Sequence, residues 1–126
     1  MGAGWFAAGA IAAAIGVGVG AFGAHGLKSR VGPDLLAIFE TGVRYHMYHA
    51  LALLAVGWAA TRWASPWIQA SGWLFCIGIL LFSGSLYLLA LTGARWWGAV
   101  TPLGGVAFIL GWISLALTAL RGTDVG

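Results

Sequence analysis

Ala70–Thr92 reads "ASGWLFCIGILLFSGSLYLLALT", and no Asp, Glu, Lys or Arg occurs between Arg62 and Arg95. A helix that crosses the hydrocarbon of a bilayer needs about 20 predominantly apolar residues. The stretch, about 70–92, therefore reads as a membrane span, and the charges on either side cut the rest of the chain into similar pieces. No charge precedes Lys28, which gives a first span at about 4–24. Between Arg44 and Arg62 lies "YHMYHALALLAVGWAAT", a marginal second span at about 45–61, and between Arg95 and Arg121 a fourth at about 101–120.

Composition agrees with lipid as the solvent. The 126 residues make one domain. Only 7% are charged and 61% are hydrophobic, against roughly a quarter charged in a soluble domain. The net charge of +3 comes from six Lys and Arg against three acids. That is too sparse for a nucleic-acid footprint, which needs a clustered basic face, and it fits the basic ends of membrane segments. The single cysteine, Cys76, sits in "WLFCIGILLF" as a small buried hydrophobe, with no intramolecular disulfide to form.

Turn chemistry falls at the breaks. Ser65-Pro66 and Thr101-Pro102 each set a hydroxyl before a proline, and Gly32-Pro33-Asp34 opens "LLAIFETGVRYH". That segment, about 34–44, is amphipathic: Leu35, Ile38, Phe39, Gly42 and His46 share one stripe. Glu40 and Arg44 share another, four apart and able to pair. It reads as an interfacial helix or as an extension of span two. The start "MGAGWF" lacks the basic region of a signal peptide, so the first span is expected to stay. The expected fold is an all-α integral membrane protein, a four-helix bundle over residues 1–126 with an amphipathic segment before span two. Lys28, Arg30, Arg44 and Arg95 outweigh Arg62 and Arg121, so the positive-inside bias puts loops one and three in the cytoplasm and both termini in the periplasm. Trp5, Trp63, Trp67 and Trp73 would then form an outer aromatic belt and Trp96 with Trp97 an inner one.

Small residues mark the packing faces. Gly4, Ala8, Ala12, Gly16, Gly20 and Ala24 recur every four positions in span one, and Gly104, Gly105, Ala107 and Gly111 repeat the theme in span four. Such spacing lets helix backbones approach closely. The partner is this bundle or another chain, in a larger membrane complex or homo-oligomer.

"TGVRYHMYHAL", Thr41–Leu51, carries most of the polar chemistry. If the spans alternate in direction, His25, Glu40, Arg44, Tyr45, His46, His49, Tyr87, Arg95 and Thr101 gather at one boundary, and the middle of the bundle keeps Ser83 and Ser85. A structural layer would satisfy backbone groups and pin helix ends, with Glu40 and Arg44 as a clasp. A functional layer would relay protons or gate a ligand through a histidine. Metal binding has little support: His46 and His49 share a face, but no Glu-x-x-His or His-x-x-x-His spacing occurs, and Glu40 lies about 180° around the helix from His49. Bis-histidine haem ligation by His25 and His49 is barely feasible. No nucleophile motif exists, since "FSGSL" lacks the flanking glycines of an elbow. No enzyme activity, cofactor or metal is expected.

Several strings resemble one family. "GAFGAHGLK", "F-x-T-G-V-R-Y-H-M-Y-H-A-L-A-L-L", "GILLFSGSLYLLALTG" and "TPLGG" with a following "GW" occur in order over about 16–112. They resemble domain-of-unknown-function family 423, small integral membrane proteins of the YgdD/YwdK kind. The resemblance implies a four-helix protein of the bacterial plasma membrane and no reaction. Its motif falls on Gly23, His25, Gly26, Gly42, Arg44, Tyr45, His46, His49, Ser83, Gly84, Ser85, Thr101, Pro102 and Gly104, with Gly84 a further packing glycine. The expected role is a structural or accessory component that binds partner helices or membrane lipid. The alternative is a transporter or channel for a small solute or proton, using the histidine and tyrosine layer.

Overall fold

The structure, a computed structural model, describes residues 2–126. Four helices run antiparallel. α1 is Gly2–Leu27, its last turn (Gly23–Leu27) a π turn. α2 is Pro33–Arg62. α3 is Trp67–Thr92, with a second π turn at Ile79–Ser83. After a 3-10 turn at Arg95–Ala99 comes α4, Thr101–Arg121. α1 packs on α2, α3 packs on α4, and α2 is the central helix, touching all the others.

The helix ends follow local chemistry. Ser65 Oγ, just ahead of the Pro66 N-cap, accepts from the first amide of α3, that of Trp67, at 3.2 Å. Gly93 closes α3 with φ +71°, a left-handed conformation suited to glycine. Pro33 and Pro102 sit in the first turns of α2 and α4, where an absent N–H costs nothing. Thr101, expected as a cap, turns its hydroxyl elsewhere: Val100 holds the N-cap position with no side-chain bond.

Three helices, Gly2–Leu27, Trp67–Thr92 and Arg95–Arg121, are long and apolar enough to cross a membrane. α2 is not among them. It turns His46 and His49 inward, 5% and 4% exposed, while Asp34, Glu40, Arg44 and Arg62 stay exposed. Of the two readings of the amphipathic segment at 34–44, the structure has the extension of span two, because helical backbone continues unbroken from Pro33 to Arg62.

The α1–α2 seam also differs from the four-residue stripe. A Cβ on Gly9 would lie 2.8 Å from the Ala50 carbonyl oxygen and the Leu54 amide nitrogen, and one on Gly2 2.6 Å from the Gly57 oxygen. One on Gly16 would overlap Met47 Sδ, and one on Gly23 would sit 2.8 Å from Phe39. Gly2, Gly9, Gly16 and Gly23 are spaced by seven, the repeat of a sustained antiparallel pair rather than a single crossing point. Gly20 meets Val43 at 3.2 Å, whereas Gly4 has open space around it.

Two apolar clusters fill the interior. Trp5, Leu53, Val56, Ile68, Phe75 and Phe108 form the larger one; Leu27, Phe39 and Ala90 form the other. Trp5 is thus mostly core rather than belt: Gly72 makes room for its ring, which meets Trp73 edge-on at 5.5 Å. Trp96 and Trp97 stack at 4.1 Å at the opposite end. The ends of α2 and α4 are tied by a two-residue antiparallel pair, Trp63 with Asp124 and Ala64 with Thr123. Gly2 lies against Gly57 and Thr61, so both described termini are at one end of the bundle and the loops after α1 and α3 at the other.

Candidate functional site

His46 and His49 lie three apart on α2, on the face its apolar periodicity turns inward. The His46 ring bridges two neighbours. Its Nε2–H donates to the Ala12 carbonyl of α1 at 2.8 Å, and the Tyr87 hydroxyl of α3 donates to Nδ1 at 2.9 Å. The Ala12 carbonyl can only accept, which fixes the tautomer of a neutral ring. His49 has the opposite tautomer. Its Nδ1–H donates to the Tyr45 carbonyl at 2.7 Å, and the indole N–H of Trp112 on α4 donates to Nε2 at 3.1 Å. The His49 ring stacks on Phe108 with centroids 3.5 Å apart and planes 6° apart. Both histidines have both nitrogens engaged, as buried polar groups usually do.

The serines complete the layer. Ser83, the last residue of the π turn in α3, donates to the Gly42 carbonyl of α2 at 2.6 Å. Gly42 leaves room for Tyr87, to which a Cβ would come within 2.8 Å. Ser85 meets the Thr101 hydroxyl of α4 at 2.6 Å and also bonds the Phe82 carbonyl. Gly104 lies so close to Phe82 that a Cβ would overlap its backbone nitrogen. A π turn adds a residue to one helical turn and shifts every later side chain around the axis. Here it sends Ser83 and Tyr87 toward α2 and Ser85 toward α4. Neither this turn nor the bond from Trp112 to His49 was foreseen from the sequence; a tryptophan with a donor, one span from a histidine, was the available signal.

The structure does not bring all the expected residues together. His25 is exposed, in the π turn that ends α1, and bonds its own helix, at the Ala21 carbonyl, 2.9 Å away. Glu40 and Arg44 are both exposed, and among the described residues neither makes an ion pair. The reason is energetic: an exposed i,i+4 pair yields a few tenths of a kcal/mol, about what holding two long side chains costs. The ion pair present is Arg95 with Asp34, 2.9 Å apart and each side chain 67% exposed. Asp34 is held below the usual carboxylate range, first by the Leu35 backbone N–H and then by the Arg95 guanidinium. Tyr45 points outward, 37% exposed, its ring on Phe82 at 4.7 Å. Of the expected packing glycines, Gly16, Gly20 and Gly104 meet a neighbouring helix. Gly84 has open space, and a Cβ on Gly105 would reach only Phe82, at 4.0 Å. Among the described residues no group of three His, Cys, Asp or Glu could hold a metal.

Residues 19–105 match the family model described as "Protein of unknown function (DUF423)". The chain is 49% identical over 114 residues to the UPF0382 membrane protein YwdK of Bacillus subtilis, covering 90% of this chain and 93% of that one. It is 49% identical to the UPF0382 membrane protein SSP2132 of Staphylococcus saprophyticus, covering 90% and 93%. It is 43% identical to the UPF0382 inner membrane protein YgdD of Escherichia coli, covering 89% and 86%. No solved structure matches. The chain belongs to the DUF423 family and is a membrane protein.

Proposed function

We propose that this DUF423 protein crosses the membrane four times and serves as a structural or accessory component, binding lipid or partner helices rather than transforming a substrate. α2 is the fourth crossing. It runs the same length of the bundle as its apolar neighbours, and Arg44 and Arg62 stand 18 positions apart, about 27 Å of helix, close to the hydrocarbon thickness. The observation that carries the role is the commitment of all four ring nitrogens of His46 and His49 to protein partners. Rings held in this way clamp helices, and as bonded they leave no lone pair or proton free for a solute.

A second reading, proton movement, is favoured by one contact: the Tyr87 hydroxyl on His46 can reverse and accept. Purified protein in vesicles with an imposed pH gradient and an entrapped dye separates the two. The structural reading expects decay no faster than in empty vesicles. Faster decay that His46→Gln abolishes would overturn it. For orientation, the loop charges favour both termini on the periplasmic side. A C-terminal reporter active only in the cytoplasm should stay silent, and a strong signal would invert that orientation.

A further inference from the structure

Residues of α2, α3 and α4 line an open groove of about 470 Å³. Tyr45, Tyr48 and His49 line it from α2, Phe108, Ile109 and Trp112 from α4, and Phe82 from α3. The groove runs along α4 from Gly105 to Trp112, about 10 Å at 1.5 Å per residue, or two thirds of a leaflet's hydrocarbon. Gly105 keeps it open: with almost nothing near its Cβ position, this glycine serves no helix contact. The lining is apolar, and Arg44 stands beyond it along α2. Arg44 lies one turn from Tyr48 toward the charged end, exposed and unpaired among the described residues despite Glu40 one turn away. The Tyr45 and Tyr48 hydroxyls likewise have no hydrogen-bond partner among the described residues. A side chain on a helix leans toward the N-terminus, which takes the Arg44 guanidinium outward to headgroup level.

We infer that this groove holds one acyl chain of an anionic phospholipid, with the lipid phosphate held by Arg44 at the rim. The inference rests on the proposed lipid-binding role and names its ligand. A free cation above an aromatic groove complements an anionic headgroup on an apolar tail. A partner helix would have to bury the unpaired guanidinium, at a cost of several kcal/mol.

The test is native mass spectrometry of the full chain released from detergent micelles with equimolar phosphatidylglycerol and phosphatidylcholine of identical acyl chains. The wild type should retain one lipid, with about a fivefold preference for the anionic headgroup, the factor one cation near a lipid surface contributes. Arg44→Gln should bring the preference close to parity, while Arg62→Gln, at the other end, should leave it intact. Gly105→Leu, which adds bulk where nothing stands, should reduce retention of both lipids without lowering thermal stability. Ile109→Trp fills the groove from its rim and serves if that variant misfolds. Three results would overturn the inference: a preference that survives Arg44→Gln, lipid retention indifferent to both groove-filling changes, or a second copy of the chain displaced by them. Failure of the underlying structural role would appear separately, as His46-dependent proton flux.

Discussion

Gly9→Ala and Gly18→Ala add the same methyl to the same helix and should have opposite effects. At Gly9 the new Cβ would stand 2.8 Å from the Ala50 oxygen and the Leu54 nitrogen, where ordinary contact begins at 3.4 Å. Both atoms are backbone in a helix, so no side chain can rotate away, and α1 must lift from α2. Overpacking of this kind costs about 1–3 kcal/mol. Alanine recovers about 1 kcal/mol through helix propensity, leaving a net loss of about 1 kcal/mol. At Gly18 nothing lies within 4 Å, so only the propensity gain remains. The two variants should therefore differ by about 2 kcal/mol. Gly4→Ala, also in open space, should behave like Gly18→Ala, although Gly4 belongs to the four-residue stripe. Reversible unfolding in mixed micelles with rising fractions of an ionic detergent measures all three. Equal losses at Gly9 and Gly18, or a loss at Gly4 matching that at Gly9, would refute the seven-residue seam.

Three further outcomes follow from the polar layer and the charged end. Tyr87→Phe should cost about 1 kcal/mol, and a double-mutant cycle with His46→Ala should give a coupling of about 0.6 kcal/mol, the average for such bonds in membranes; strictly additive losses would mean that the contact is absent. Trp112→Phe keeps a ring beside His49 but withdraws the donor from Nε2, so it should also cost about 1 kcal/mol, and Phe108→Leu should not reproduce the effect by the same route, as judged by the His49 ring nitrogen shifts in an NMR spectrum. Asp34 has a depressed carboxyl pKa, so its contribution is fully present above the ordinary value of 3.8 and is lost as pH falls through the lower folded value. Asp34→Asn should remove that acid-dependent part of the unfolding curve, and because the pair is exposed, added salt should shrink it in the wild type.

How much of this was legible depends on which physical signal each residue leaves in a sequence. α3 and α4 were plain because charge-free runs of helical length have few other readings. α2 was marginal for a physical reason: its two histidines point inside, where the other helices shield them, while Asp34, Glu40 and Arg44 stay exposed toward its start, and a hydropathy average cannot tell inside from outside. The inward direction of His46 and His49 was readable from their spacing on the amphipathic face. Their partners were not, because Ala12 contributes a carbonyl, which every residue has, and Trp112 lies 63 residues away. His25 was misplaced because depth alone was used: it lies at the right end of the bundle, but the turn that closes α1 leaves it outside. The strand pair joining Trp63–Ala64 to Thr123–Asp124 spans two residues on each side, too short for any alternation to show. Glycine spacing points to the right residue type and to only one of two series: Gly16 and Gly20 of the four-residue stripe meet α2, and Gly2, Gly9, Gly16 and Gly23 meet it at intervals of seven.

The two buried histidines differ in a way that only their partners reveal, and the difference bears on the proton-moving alternative. Trp112 offers His49 an N–H and nothing else. A proton arriving at Nε2 would face a donor and break the bond, while the stacked Phe108 allows the ring little room to turn. Tyr87 offers His46 a hydroxyl, which donates to a neutral ring and accepts from a charged one. His46 can therefore gain a proton and keep both its bonds, to Ala12 and to Tyr87, at the cost of one hydroxyl rotation. Any proton-dependent behaviour of this bundle should accordingly follow His46 and Tyr87. It should vanish in Tyr87→Phe, which leaves Nδ1 with no group to answer a change of charge, and persist in Trp112→Phe.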